Sequence, residues 1–538
     1  MLASADLDYL DPGRTYFQMG VMVVQATQRP LYRFPPNSLS KALPDMAASA
    51  PQVSADGRTV TVHLRHGVKF SPPVNREVTS ADVEYALDRL FSANVAAPYA
   101  SYFRALEGVP ATPTNGVKPV SGITTPDEHT IVFRLRPRSA PAFVGALVLP
   151  VTAPVPADYA KPFDAKTPST YTDHVVATGP YMVTNDASGK ITGYQPGKTI
   201  DLKRNPSWSR ATDTRPALLD AIKIRTDASD TALASRQVLA GHHLTLGQPP
   251  PPTILERVSR QPAGRVAQTV DTGGYRFVPL NTTIRPFDDL DVRKAVLAAF
   301  DREAVQRARG GRSTGPIASH FLPRGIAGFD QAGGLAGPGA DYLRSPTGDP
   351  AVAASYMRKA GYADGRYHGK ETFLLVSGND PTDKSIGEVT QDQLGKLGFR
   401  TKLKFVPPDA LFTTWCSTPA KRVLACASSI AWLKDFPDPE PMLRPVFDGA
   451  AIAQTNNTNY SQLDDPAVNA AMDAAAQTSG AARGAAWGAI DRRLVGLAPA
   501  VPIDWDVATL IHSPDVAGVA SVYFDGWDLS YTGLRATK

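Results

Sequence analysis

The spacing of hydrophobic positions along this chain switches repeatedly between a period of two and one of three to four. Thr59-Val60-Thr61-Val62-His63-Leu64 alternates strictly, and Asp56-Gly57-Arg58 joins it to 50–54; an Asp-Gly pair between such runs predicts a hairpin. Asp127-Glu128 predicts a second hairpin, leading into Thr130-Ile131-Val132-Phe133-Arg134-Leu135. Between the two, Thr79 or Ser80 can cap a helix carrying Val83, Leu87 and Leu90 on one face. Residues 6–34 read as strand, loop, helix and strand, with Tyr16 and Phe17 in the loop. Thr178-Gly179-Pro180-Tyr181-Met182-Val183 reads as a turn feeding a strand, 227–239 as a helix and 274–281 as a strand. Residues 288–308 show the clearest helical spacing, with Val292, Ala295, Val296 and Ala299 on one face, and predict one continuous helix. The Gly- and Pro-rich stretch 325–348 predicts a long loop, and Asp349-Pro350 opens another helix with proline at its first position. Residues 373–377, 385–397 and 401–406 follow as strand, helix and strand, an order that predicts an α/β lobe with a mixed sheet. The apolar run 423–430 predicts a buried strand, and 466–475 and 481–497 predict helices.

Composition then narrows the function. The chain has 538 residues, 43% hydrophobic and 20% charged, ordinary values for a soluble globular protein of several domain-sized units. Its 56 basic and 51 acidic residues leave a net charge of +5, too even for a nucleic-acid-binding stripe. No run approaches the ~18 apolar residues that a spanning helix needs. Residues 1–5 carry neither the charged start nor the apolar centre of an export signal, so the chain is expected to be cytosolic or to have lost its signal. Cys416 and Cys426 flank a polar, basic segment between two strand-like runs. That spacing suits a hairpin closed by one disulfide, which implies an oxidising compartment; two free buried thiols are the alternative.

The densest chemistry lies in Ala431-Trp432-Leu433-Lys434-Asp435-Phe436-Pro437-Asp438-Pro439. Pro437 and Pro439 cannot continue a strand ladder, so the chain must turn here. A carboxylate and an aromatic ring on a stiff turn at a strand end can grip a cation and stack an apolar group. The alternative is a surface turn in which Asp435 and Asp438 only cap the chain. Gly311-Arg312-Ser313-Thr314-Gly315 spells the nucleophile elbow of serine hydrolases, but a helix precedes it and Pro316 follows, where the elbow needs a strand before and a helix after. His242 and His243 are adjacent and would face opposite sides of a strand, and no carboxylate or cysteine stands at ligand spacing. No catalytic residue, no metal site and no cofactor is therefore expected.

Taken in order, several motifs resemble one family. Asp56-Gly57-Arg58 through Leu64-Arg65-His66-Gly67-Val68-Lys69-Phe70 is similar to a DGxxxTFxLRxGVKF signature, and Val78-Thr79-Ser80-Ala81-Asp82-Val83 to the helix start that follows it. Thr178-Gly179-Pro180-Tyr181, Leu202-Lys203-Arg204-Asn205-Pro206-Ser207-Trp208, Val292-Arg293-Lys294-Ala295 with Asp301-Arg302-Glu303, Ala360-Gly361-Tyr362, Gln393-Leu394-Gly395-Lys396-Leu397-Gly398 and Trp432 to Pro439 continue the match. The chain thus resembles the extracytoplasmic solute-binding proteins of ABC importers, in the large dipeptide/oligopeptide class called family 5. The resemblance implies a two-lobed α/β periplasmic-binding-protein fold of type II, with mixed sheets and an extra subdomain in the first lobe. The first lobe would comprise 1–45, 175–275 and 500–538, the subdomain 46–174 and the second lobe 276–499. The crossings at 275–281 and 499–505 would act as hinges that close the lobes on the ligand.

The same resemblance implies roles. Asp435 would pair with the α-ammonium of a peptide, with Trp432 lining the pocket; on the residues themselves, Trp432 and Phe436 would exclude water around Asp435. Tyr16 and Phe17 match a loop that faces the ligand in relatives. Lys384 stands where the dipeptide branch has a carboxylate-binding arginine; lysine lacks the planar fork, which argues against strict dipeptide specificity. Lys434 replaces a small residue of many relatives, and the sequence leaves open whether it narrows the pocket or points away. The implied function is that of a monomeric, extracytoplasmic binding protein, lipid-anchored through a removed N-terminal signal, that delivers peptides or similar zwitterionic or cationic solutes to a permease. The class also serves oligosaccharides, nickel chelates and other small solutes, so the fold does not fix the ligand.

Overall fold

Local sequence signals set most of the elements. A computed structural model describes residues 1–535 except 40, 138, 263, 408, 409, 429, 455 and 456. The chain divides into two units, Met1–Val270 with Ala508–Lys538, and Asp271–Val507.

The first unit contains helix α1 (Gln18–Thr27) and an antiparallel sheet of β1 (Gln52–Val53), β2 (Thr59–His63), β3 (Ile123–Asp127) and β4 (Thr130–Arg134), in the order β1-β2-β4-β3. All four strands fall within the stretch set apart as 46–174. Gly57 makes the first hairpin turn with φ +66°, a conformation that glycine adopts without a side-chain clash. Val60, Val62, Ile131 and Phe133 are fully buried while their neighbours are not, so one face of the sheet packs and the other faces solvent. Helix α2 (Ser80–Asp88) starts with Thr79 and Asp82 capping each other's backbone amides. A second antiparallel group, Tyr181–Val183, Thr199–Arg204 and Ala221–Arg225, packs on a core that includes Tyr181, Leu202, Ile224 and Trp527.

The chain leaves the first unit within strand β5 (Ala267–Pro279) and returns within a later strand, Ala500–Ile511. The divisions fall at 270/271 and 507/508, earlier on the outward strand and later on the return strand than the crossings read from the sequence.

In the second unit the helix expected over 288–308 is two helices, α3 (Leu290–Ala299) and α4 (Arg302–Arg309). Phe300 is extended, and Asp301 accepts a hydrogen bond from Ala304 N at 2.8 Å, capping a new helix. The stretch expected as a loop over 325–348 carries short helical turns at Phe329–Ala332, Gly334–Ala336 and Asp341–Leu343. Strand β6 (Thr372–Gly378), helix α5 (Pro381–Lys396) and strand β7 (Arg400–Val406) form the expected βαβ unit, with β6 and β7 parallel. Of the run 423–430, only β8 (Ala425–Cys426) is a strand, and Ser429 lies outside the described residues. It pairs with β6 in parallel, on the side opposite β7. The central strand β6 is consequently buried over most of its length.

That topology corrects the hairpin expected at the cysteines. The link between β7 and β8 crosses from one edge of the sheet to the other through a helical turn, Leu411–Trp415. Cys416 and Cys426 are nonetheless disulfide-bonded, with Cα atoms 6.0 Å apart. Closing a loop of this size stabilises the fold by roughly 2–3 kcal/mol in the chain-entropy account. Thiol counting on unreduced, denatured chain is expected to find none, and reduction is expected to lower the denaturation midpoint.

Candidate functional site

The stretch that concentrated the chemistry in the sequence is anchored in the second unit, at the edge of the sheet that contains β5. Strand β9 (Ala431–Trp432) pairs antiparallel with β5, Tyr275 opposite Trp432 and Arg276 opposite Ala431. Helix α6 (Pro439–Phe447) follows after the turn 433–438. Pro445, inside α6, has no N–H to give the Pro441 carbonyl one turn earlier. The indole of Trp432 supplies that bond, Nε1 to Pro441 O at 2.7 Å. Trp432 is half-buried and packs against the core of its unit, and its polar edge fixes the turn.

Asp438 holds the other end of the turn. One oxygen accepts from Glu440 N at 2.9 Å, capping α6, and both oxygens accept from Arg483 at 2.7 Å. Burial disfavours the Arg483 charge, but Asp438 and Glu440 outweigh it and raise its pKa. Asp438 is thus a structural turn residue. Phe436 is buried and Asp435 is partly buried beside it in the sequence.

Lys434 reaches onto β5. It is buried, and its ammonium donates to Thr272 O. Gly273 makes room for it: a Cβ there would lie 2.6 Å from Lys434 Cδ, and φ is +64°.

Around β5 lies a buried group of charges that the sequence reading missed. It is built on strand β10 (Ala500–Ile511), which is paired with β5. Arg309, at the end of α4, donates to Asp504 and, at 2.6 Å, to Asp506; Arg276 donates to the other oxygen of Asp506 at 2.9 Å. Burial pushes the Asp504 carboxyl up to about 6, against the pull of Arg309. Asp506 is equally burdened by burial, but its two arginines outweigh that and hold it below the usual carboxylate range. Burial likewise works against the Arg276 charge; Asp506, Asp504 and Asp383 overcome it and raise its pKa. Asp383, in the first turn of α5, is the buried neighbour of Lys384. The available signal was Ile503-Asp504-Trp505-Asp506, two carboxylates two residues apart inside an apolar strand.

The remaining expected residues belong to other elements. Lys384 is exposed, its ammonium 5.9 Å from the centre of the Phe405 ring. Tyr16 and Phe17 belong to the first unit, at the start of α1, where the Asp8 carboxylate accepts from both their backbone amides at 2.6 and 3.0 Å. Both rings are largely exposed, and Tyr16 lies 5.3 Å from Tyr99. Ser313 sits in a short helical turn directly after α4 and donates to Gly310 O at 2.9 Å, so no nucleophile elbow exists here.

The family model described as "Bacterial extracellular solute-binding proteins, family 5 Middle" matches residues 41–454. The chain is 26% identical over 433 residues to Di/tripeptide-binding protein 1 of Pseudomonas aeruginosa (strain UCBPP-PA14), covering 79% of this chain and 73% of that one. Among solved structures it is similar to clavulanic acid biosynthesis oligopeptide binding protein 2, with a TM-score of 0.84, 28% identity and coverage of 100% and 95%. It shares the fold of Haemophilus influenzae OppA in complex with RPPGFSPFR, with a TM-score of 0.74, 20% identity and coverage of 99% and 98%.

Proposed function

Since the chain belongs to the bacterial extracellular solute-binding proteins of family 5, we propose that it captures peptides bearing a free α-ammonium and delivers them to the permease of an ABC importer. It is a binding protein, not an enzyme, and it acts outside the cytoplasm, as the family does. No helix among the described residues is long and apolar enough to cross a membrane. Lipid anchoring and a monomeric state are further parts of the proposal.

The observation that carries the peptide reading is the turn 432–439. Trp432 and Asp438 use their polar groups to fix its two ends, which leaves Asp435 on a rigid support. A rigid carboxylate can take up an ammonium without losing side-chain freedom at the moment of binding. The di/tripeptide-binding relative and the oligopeptide-binding structure support the same solute class. Lys384, exposed on the first turn of α5, is the proposed partner of the ligand's carboxylate, and Tyr16 and Phe17 are proposed to contribute apolar contacts. The test is mass spectrometry of small molecules released when the purified chain is denatured. Peptides are expected; a uniform neutral sugar would overturn the reading.

A further inference from the structure

The first unit brings three metal-ligating side chains together from separate segments. His66 follows β2, Glu77 precedes the cap of α2, and His129 lies in the turn between β3 and β4. Their donor atoms all lie within 4.8 Å of one another. His129 Nε2 is 3.5 Å from Glu77 Oε1, and the imidazole rings of His66 and His129 are 3.7 Å apart, tilted by 31°. We propose that His66, Glu77 and His129 form a binding site for one divalent transition ion, Zn²⁺, Cu²⁺ or Ni²⁺.

The backbone fixes two of the three ligands. Gly67 N donates to Glu77 Oε1 at 2.6 Å and orients the carboxylate. Such hydrogen bonds to a ligating group tune and place it in known metal centres. Gly67 itself has φ +74°, in the turn that follows His66. The turn carrying His129 is tied to the start of α2, because Ser80 N donates to Glu128 O at 2.8 Å and Ser80 Oγ to Asp127 O at 2.5 Å. Asp127 Oδ1 accepts from His129 N at 2.8 Å. Glu77 and His129 are therefore held, and the exposed His66 is the ligand that can adjust. Donors on a tetrahedral ion stand roughly 3.4 Å apart, given bonds of about 2.0–2.2 Å. A rotation of the His66 ring supplies the remaining approach.

The donor set selects the ion. Two neutral imidazoles and one carboxylate suit Zn²⁺, Cu²⁺ and Ni²⁺, whereas Ca²⁺ and Mg²⁺ prefer an all-oxygen shell. Exposure leaves a further position to water. No sequence motif announces the group: His66 occupies the variable position of Leu64-Arg65-His66-Gly67-Val68, and the three residues meet only through the fold of the sheet. The expectation of no metal site, drawn from the sequence, rested on neighbouring residues alone.

Metal-stripped full chain is titrated with ZnCl₂, NiCl₂ and CuCl₂ by calorimetry, alongside His66→Ala, His129→Ala and His243→Ala. His66 is exposed, so His66→Ala is expected to melt like the wild type without metal, which keeps the test valid if His129→Ala folds poorly. His243→Ala removes a histidine that lies beside a carboxylate outside the proposed site, 3.3 Å from Asp515. One ion per chain is expected for at least one of the three metals, with affinity about ten-fold weaker or more in His66→Ala. It should be unchanged in His243→Ala, and the metal should raise the melting temperature only where His66 is present. No binding of any of the three metals, or binding that survives His66→Ala and is lost in His243→Ala, would overturn the proposal.

Discussion

Replacing Asp435 by asparagine is expected to weaken peptide binding by about 2–5 kcal/mol, or roughly 30- to several-thousand-fold in affinity. The substitution keeps the size and deletes the charge. An ammonium withdrawn from water needs an anionic partner, and losing that partner leaves the ammonium buried and uncompensated. Asp438→Asn provides the contrast. Asp438 caps α6 and grips Arg483 with both oxygens, so its loss should lower stability and leave the intrinsic peptide affinity of the folded fraction close to wild type. Calorimetry and denaturant melts on both variants separate the two roles. Equal, small affinity losses would make Asp435 a structural residue as well.

Replacing Arg309 by methionine is expected to destabilise the second unit by about 3–5 kcal/mol, the usual result of removing one partner from a buried ion group. Arg309 bonds both Asp504 and Asp506, and the Asp504 side chain is fully buried. Asp504→Asn should behave differently. The Asp504 carboxyl is raised from 3.8 to about 6, with burial as the leading cause, so the native state holds its proton more tightly than the unfolded state. The stability this contributes is fully present below pH 3.8 and is lost as pH rises through 6. Asp506 runs the opposite way: its lowered pKa contributes stability above the unfolded value that is lost as pH falls. Urea melts at pH 5 and pH 7 should therefore show Asp504→Asn gaining on the wild type as pH rises. A constant difference between the two would show that Asp504 does not titrate in that window.

What could be read from the sequence was local. The hairpin at Asp56-Gly57 and the cap at Thr79 each need only a few adjacent residues, and both form as expected. The helix over 288–308 was misjudged because the apolar spacing runs on through Phe300, while the deciding event is the side chain of Asp301 turning back to cap its own helix. The cysteines are bonded as expected but in another setting, since the polar, basic residues between them do not show whether the flanking runs pair as a hairpin or belong to a crossover between parallel strands. At the site, the turn 432–439 was legible from its prolines, carboxylates and indole. The task of Trp432 was not, because it follows from a carbonyl that Pro445 leaves unbonded. Nor was the direction of Lys434, which depends on the absence of a side chain at Gly273. The group of Arg276, Arg309, Asp383, Asp504 and Asp506 draws on β5, α4, α5 and β10, and only the packed unit brings these elements together.

The central claim is that this chain recognises a peptide through its α-ammonium. The most direct measurement titrates the chain with a peptide identified among its released cargo and with the same peptide acetylated at its amino terminus. Binding of the free peptide in a one-to-one ratio, with the acetylated form weakened to the same extent as the Asp435→Asn variant, is the expected result. Equal affinity for the two forms would contradict it.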